Sequence, residues 1–332
     1  MTQKTTRPAL SSRPPLVAAT LACLLFFSAV STVRIYAGLV ITPTFDSTIT
    51  GDPNAAAIEG VINQAINTYQ TRFADPINVT INFREMASGL GSSNWWYYNI
   101  TYQNFINHLL ADASTPDDAT ALAHVPHGAN NPVDNSTNIN VKTANLRAIG
   151  IFGLNSGLAG GVDGIVGLNT HITDVGSPGT SGQYSLLATT EHEIDEVLGL
   201  ASALPPNSLI GNDPLPEDLY RYDAVGNRSF SANAAAKAYF SIDGVNDLAQ
   251  FDNQNDGGDF GDWQSNPRAP GVLPQVQDAF ATPGAHPALG VELRALDVIG
   301  YNLVPEPASL TLLALGVGIV GLGCRRKVAR TR

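Results

Sequence analysis

The stretch Leu186-Leu187-Ala188-Thr189-Thr190-Glu191-His192-Glu193-Ile194-Asp195-Glu196-Val197-Leu198-Gly199-Leu200 constrains the fold more than any other part of this chain. Leu186, Leu187, Ile194, Val197, Leu198 and Leu200 are too apolar for a surface helix, so the segment has to be largely covered. The same helix carries His192, Glu193 and Glu196 under that cover. Charges taken out of water need a partner, and a metal ion is the economical one for an imidazole flanked by carboxylates.

The spacing supports that reading. His192 and Glu196 stand four residues apart, so on a helix they share a face and can reach one cation, with Glu193 beside them to act on a water there. The pattern is H-E-x-x-E, in which Glu196 stands where the zinc-protease pattern H-E-x-x-H has a second histidine. Carboxylate oxygen is an acceptable zinc ligand, so the change alters the charge of the site without abolishing it. A di-iron carboxylate centre would need a matching motif on a second helix, and the sequence offers none.

The two ends of the chain bear on location. Lys4, Arg7 and Arg13 precede an apolar run at residues 16–33, and Ala37 supplies a small residue for cleavage, so residues 1–37 read as a secretory signal peptide. At the other end, Val304-Pro305-Glu306-Pro307 leads into the apolar residues 308–323, Cys324 and the basic cluster Arg325-Arg326-Lys327. One apolar segment of membrane length followed by arginines obeys the positive-inside rule for a C-terminal anchor. Pro305, Glu306 and Pro307, with Arg325 and Arg326 behind the apolar run, closely resemble the PEP-CTERM sorting signal of Gram-negative bacteria. The resemblance implies an exosortase-type sorting enzyme as partner and attachment to the inner membrane through the C-terminal helix. Processing would then release the exported chain to the cell surface or extracellular matrix. The domains expected are the signal peptide at 1–37, one main domain at 38–303 and the sorting signal at 304–332.

Residues 38–303 hold 9 basic against 28 acidic residues, a net charge of −19. Such a domain argues against nucleic acid as a partner and suits a soluble exported protein or a cation binder. No Lys or Arg occurs between Arg147 and Arg221, the interval that contains the metal-type helix. Both cysteines, Cys23 and Cys324, lie in the apolar ends, so the main domain has neither a disulfide nor a cysteine metal site.

Periodicity predicts an α/β (α+β) fold. Strands are expected at 39–45 and 77–83 around an amphipathic helix at 54–73, then a helix at 102–113 and short strands at 138–141 and 164–169. Asn, Gly, Asp and Ser dominate the second half, where loops should be long.

The helix motif, with Asp218-Leu219-Tyr220-Arg221-Tyr222, Ala238-Tyr239-Phe240-Ser241-Ile242-Asp243-Gly244, Gly258-Asp259-Phe260-Gly261-Asp262-Trp263 and Leu296-Asp297-Val298-Ile299-Gly300-Tyr301, resembles a bacterial family of metalloproteases that often carry PEP-CTERM tails. It implies a zincin-like domain with a mixed sheet and an active-site helix, one zinc, and a protein or peptide substrate hydrolysed by metal-activated water. Metzincin proteases continue past the glycine to a third histidine; here Gly199 is in place but Ser202 occupies that position. Asp218 is therefore expected to join His192 and Glu196 as third ligand, with Glu217, Asp223 and His286 as the alternatives. Glu193 would serve as general base, and Tyr220 or Tyr222 would face the oxyanion.

Two further readings remain open. Asp252-Asn253-Gln254-Asn255-Asp256-Gly257-Gly258-Asp259 has the oxygen spacing of a calcium loop, although Trp263 stands where an EF-hand has its bidentate Glu. His124 and His127 flank Pro126 in what reads as a surface loop. The alternative to a peptidase is a non-catalytic cell-surface or matrix protein that keeps the zincin fold.

Overall fold

The computed structural model describes residues 38–175, 182–204, 213–253 and 256–304. The expected signal peptide and C-terminal helix lie outside the described residues, and among those described no helix is long and apolar enough to cross a membrane.

Strand β1 (Val40–Phe45) ends at Asp46, whose side chain accepts from the Thr48 N–H and caps the short helix α1 (Ser47–Thr50). Helix α2 (Ala55–Arg72) buries Ile58, Ile62, Ala65, Ile66 and Tyr69, a stripe at helical spacing that faces the sheet. It returns the chain to β2 (Asn78–Glu85), where Val79, Ile81 and Phe83 alternate inward. Because α2 is a crossover, β1 and β2 can pair parallel, with Val40 opposite Asn78. There follow β3 (Gly91–Trp95), β4 (Tyr97–Thr101), α3 (Tyr102–Asp112), α4 (Pro116–His124), β5 (Asn138–Lys142), α5 (Thr143–Ala148), β6 (Gly164–Leu168) and α6 (Leu186–Leu198). A 3-10 turn at Pro216–Tyr220 precedes the two-residue strands β7 (Arg221–Tyr222), β8 (Tyr239–Phe240) and β9 (Ala249–Gln250), and α7 (Val291–Val298) closes the series.

The main sheet has the order β1-β2-β6-β3, with β3 as an antiparallel edge beside the parallel β6. β4 pairs with β5, and β7, β8 and β9 make a small antiparallel sheet. This is the mixed α/β architecture expected.

Helix α6 lies on the main sheet, between α2 and the edge strand. Its approach to β6 depends on Gly164, where an added Cβ would sit 2.3 Å from Cγ2 of Val197. The helix is held from behind by two buried phenols: Tyr69 donates to the Glu191 carbonyl at 2.7 Å and Tyr301 to the Leu198 carbonyl at 2.8 Å. The chain enters and leaves the fold at one place, since Leu39 N–H donates to the Phe73 carbonyl and Val304 N–H to the Arg72 carbonyl. Leu39 and Val304 therefore lie near one another beside β1, at the opposite edge of the sheet from β3.

All six elements expected from periodicity are present to within two residues at each end. Strands β3 and β4 and helices α4, α5 and α7 were not expected. Ser92-Ser93-Asn94-Trp95-Trp96-Tyr97-Tyr98-Asn99 shows no apolar alternation, because neither β3 nor β4 has a fully buried residue and the two strands belong to different sheets.

Candidate metal centre

Ser185 caps α6 by accepting from the Ala188 N–H, and Asp174 accepts from the Leu186 N–H, so the helix start is fixed on two sides. The face carrying His192, Glu193 and Glu196 then looks across at β3. On a strand, alternate residues point the same way, and Gly91 and Ser93 both address the helix. A Cβ at Gly91 would lie 2.1 Å from Oε1 of Glu193, so only glycine lets that carboxylate press against the edge strand. Ser93 Oγ donates to Oε2 of Glu196 at 2.5 Å. Trp95, next on that face, lies under the ammonium of Lys142 at 3.9 Å from its ring centre.

The third group comes from far down the chain. Asp259 to Asp262 is a tight turn closed by the Asp262 N–H on the Asp259 carbonyl at 3.0 Å. Gly261 lets this turn abut the segment that follows α6, because a Cβ there would lie 2.6 Å from the Ala201 Cα. Asp262 is thereby buried beside His192, and its Oδ1 accepts from Nε2 of Gln277 at 2.8 Å.

His192 is oriented by the Val276 carbonyl, 3.0 Å from Nδ1. A carbonyl can only accept, so Nδ1 carries the proton and Nε2 is the free donor atom of the neutral ring. Nε2 lies 3.9 Å from Oε1 of Glu196 and 3.8 Å from Oδ1 of Asp262. These distances are too long for hydrogen bonds. They suit atoms converging on one ion, since two ligands each ~2.0–2.2 Å from a metal stand at most about 4.4 Å apart. His192, Glu196 and Asp262 offer ligand atoms within 4.8 Å of one another, the one such grouping among the described residues.

The electrostatics point the same way. Burial lowers the His192 imidazole, but Asp262, Glu193 and Glu196 outweigh it and raise it to about 10. Burial raises Asp262 to about 8 against the pull of His192, with Glu196 and Asp259 adding to the rise. Glu193 is driven up by burial and by Glu196, and its Oε2 has no hydrogen-bond partner. The cluster thus gathers protons because it lacks positive charge, a deficit that a divalent cation would fill. One imidazole nitrogen and two carboxylate oxygens, each with an outer partner, is a donor set that zinc accepts.

Positive charge enters from behind the helix. Lys142 is buried and donates to the Glu196 carbonyl at 2.5 Å and the Leu200 carbonyl at 3.0 Å, satisfying backbone acceptors at the end of α6. Burial lowers its ammonium to about 7, opposed by carboxylates that include Glu196 and Glu217. The long interval without Lys or Arg holds in sequence, but the fold brings this lysine to it from β5.

The structure corrects the choice of Asp218. Its Oδ1 accepts from Ser202 Oγ at 2.5 Å, while Oδ2 accepts from the N–H groups of Ala203 (2.9 Å) and Leu215 (3.0 Å). With Pro216 at the first position of the 3-10 turn and Asp218 at the third, the residue caps its own turn instead of reaching His192. Ser202, noted for standing at the usual third-ligand position, holds that cap in place. Of the alternatives, Glu217 is buried near Lys142 and Arg221, Asp223 closes an exposed turn with Asn227, and His286 faces Asp174 at 3.5 Å. Tyr220 is also committed, donating to the Val298 carbonyl at 2.7 Å, and neither it nor Tyr222 reaches the cleft. Tyr184 does line it. In the calcium-type loop, residues 254–255 lie outside the described residues, and the remainder does not form a second group of three ligands. His124 and His127 turn to different carbonyls, Thr120 and Leu122.

The cluster opens into a cleft of about 710 Å³ between β3, α6 and the loop at 274–287. Leu90 accepts from the Asn169 N–H, and the antiparallel alternation then leaves the backbone groups of Gly91 and Ser93 on the free edge of β3, beside the cleft.

Residues 303–327 match the PEP-CTERM protein-sorting motif. The chain therefore carries the signal of an exported protein that is processed at the membrane and recognised by an exosortase. No curated protein and no solved structure matches it.

Proposed function

We propose that this chain is an exported peptidase of zincin-like architecture, holding one zinc between His192, Glu196 and Asp262. The observation that carries the reading is the approach of Nε2 of His192 to carboxylate oxygens of Glu196 at 3.9 Å and Asp262 at 3.8 Å, with Glu193 buried alongside. A helix with its ligands on one face, covering a sheet whose antiparallel edge strand borders the cleft, also agrees with the zincin order implied by the motif.

When bound, the cation would polarise a substrate carbonyl and make water more acidic. The chain's own residues do the rest. Ser93 and Gln277 fix the two carboxylates, and the Val276 carbonyl fixes the imidazole. The free edge of β3 can pair with an extended peptide through the backbone of Gly91 and Ser93. Glu193, raised by burial and by Glu196, takes a proton from water on Oε2 and returns it to the leaving amine.

Replacing Glu193 by Gln tests this directly. The variant should keep its fold and its cation while peptide hydrolysis falls by about 10²- to 10⁴-fold, the usual contribution of a positioned acid-base group. Bound zinc is read by elemental analysis and cleavage by mass spectrometry of a peptide library. Hydrolysis at the wild-type rate would refute the assignment.

A further inference from the structure

We infer that Asp259 determines specificity, selecting substrates that carry an ammonium or guanidinium group next to the scissile bond; this rests on the peptidase reading above. The cleft wall is acidic, with Glu193, Glu196, Asp259, Asp262 and Asp278, and among the described residues no Lys or Arg lines it. Four of those five acids are already engaged. Asp278 pairs with Arg268 and accepts from the Gln275 N–H at 3.0 Å. Glu196 and Asp262 face His192, where a divalent cation would neutralise both. Glu193 is buried and reserved for proton transfer.

Asp259 differs from all of these. Its carboxylate is exposed and takes no hydrogen bond or ion pair among the described residues. It opens the turn that Asp262 closes, so the two stand within about 7 Å along the backbone. A group that pairs with Asp259 therefore lies about one residue from the carbonyl being cleaved. Lys142 feels the Asp259 charge, but its ammonium is committed to the Glu196 and Leu200 carbonyls and the Trp95 ring. The charge of Asp259 is thus left for a ligand. Both a peptide α-amine and a Lys or Arg side chain supply the cationic chemistry.

The test uses the full chain with Glu193→Gln, so that peptides bind without being consumed, and the same chain with Asp259→Asn or Asp259→Lys added. The probes are two matched pairs: peptides with arginine or citrulline at a single position, and peptides with a free or acetylated N-terminus. Titration calorimetry should show the cationic member of at least one pair binding roughly fivefold tighter, as for one partly solvated ion pair. The pair that shows the preference identifies the source of the charge. Asp259→Asn should erase the preference, Asp259→Lys should reverse it, and circular dichroism should be unchanged because the residue is exposed.

Equal binding within both pairs, or a preference that survives Asp259→Asn, overturns the inference. Charge-selective binding by a chain that, with Glu193 intact, cleaves none of the peptides overturns the peptidase reading and leaves the role of Asp259 standing. Cleavage without charge preference overturns the role of Asp259 alone.

Discussion

Ser93 donates its hydroxyl to Oε2 of Glu196 at 2.5 Å, joining the edge strand to the metal-type helix across 103 residues of sequence. The bond leaves Oε1 turned toward His192 Nε2. Strand and helix thus share one structural duty: Gly91 makes room for the Glu193 carboxylate and Ser93 orients that of Glu196, the two groups proposed to move protons and to hold the cation.

Removing the Ser93 hydroxyl should weaken zinc binding without unfolding the chain. Outer partners of metal ligands are typically worth 10- to 100-fold in affinity, so Ser93→Ala is expected to lower zinc affinity by about tenfold. Competition against a chromophoric chelator measures this. An unchanged affinity would show that Glu196 needs no orientation from β3.

The two aspartates considered for the third ligand should behave in opposite ways. Asp262→Asn is expected to reduce zinc affinity by more than about 100-fold, beyond the cost of an outer-partner change. Asp218→Asn should bind zinc like the wild type and lose about 1–3 kcal/mol of stability, because it disturbs a buried carboxylate that accepts three hydrogen bonds. Chelator competition and urea denaturation separate the two outcomes, and a loss of zinc from the Asp218 variant would restore Asp218 as the ligand.

How much of this was legible beforehand follows from distance along the chain. His192, Glu193 and Glu196 lie within one turn and a half of helix, so their spacing alone put them on one face. The elements of the first half were legible because Val79, Ile81 and Phe83, or Ile58, Ile62 and Ile66, repeat with the period of their element. Asp262 carries no such mark. It reaches the site through a turn, through Gly261 lying against Ala201, and through Gln277, none of which has a periodic signature. The available signal was the acidic, glycine-rich run just before it, Asp256-Gly257-Gly258-Asp259. Asp218 was misplaced for the opposite reason: Leu215-Pro216-Glu217-Asp218 is a helix-start pattern, and its carboxylate is used up locally.

The two close-packed glycines should give contrasting variants. At Gly164 an added methyl meets Cγ2 and Cγ1 of the buried, β-branched Val197 at 2.3 and 2.7 Å, so Gly164→Ala is expected to cost about 1–3 kcal/mol. At Gly91 it meets the end of the Glu193 side chain, which can swing aside. Gly91→Ala should therefore change stability by less than about 1 kcal/mol yet lower hydrolysis by about 10²-fold or more, through displacement of the proton carrier. Urea denaturation and peptide cleavage give both numbers. Equal loss of stability in the two variants would contradict the packing described.

Stability should also depend on pH through carboxylates remote from the cleft. Asp112 accepts from Nδ2 of Asn302, and Asp297 accepts from the Leu303 N–H and from Thr115 Oγ1, so the pair brackets the last residues before the sorting tail. Burial raises both carboxyls to about 7; hydrogen bonds from Asn302 and Thr115 oppose the rise, and the neighbouring Asp118 adds to it. A carboxyl raised on folding binds its proton more tightly in the folded state than in the unfolded chain, where it titrates near 3.9. Its stabilising contribution is thus complete below about pH 4, declines as the pH rises toward 7, and is gone above the folded value. The melting temperature, measured with zinc saturating so that the cleft carboxylates are occupied, is expected to fall between about pH 4.5 and 7.5. Asp112→Asn with Asp297→Asn should flatten that decline, since an amide retains an acceptor and does not titrate. A slope of full size in the double variant would assign the pH dependence to other groups.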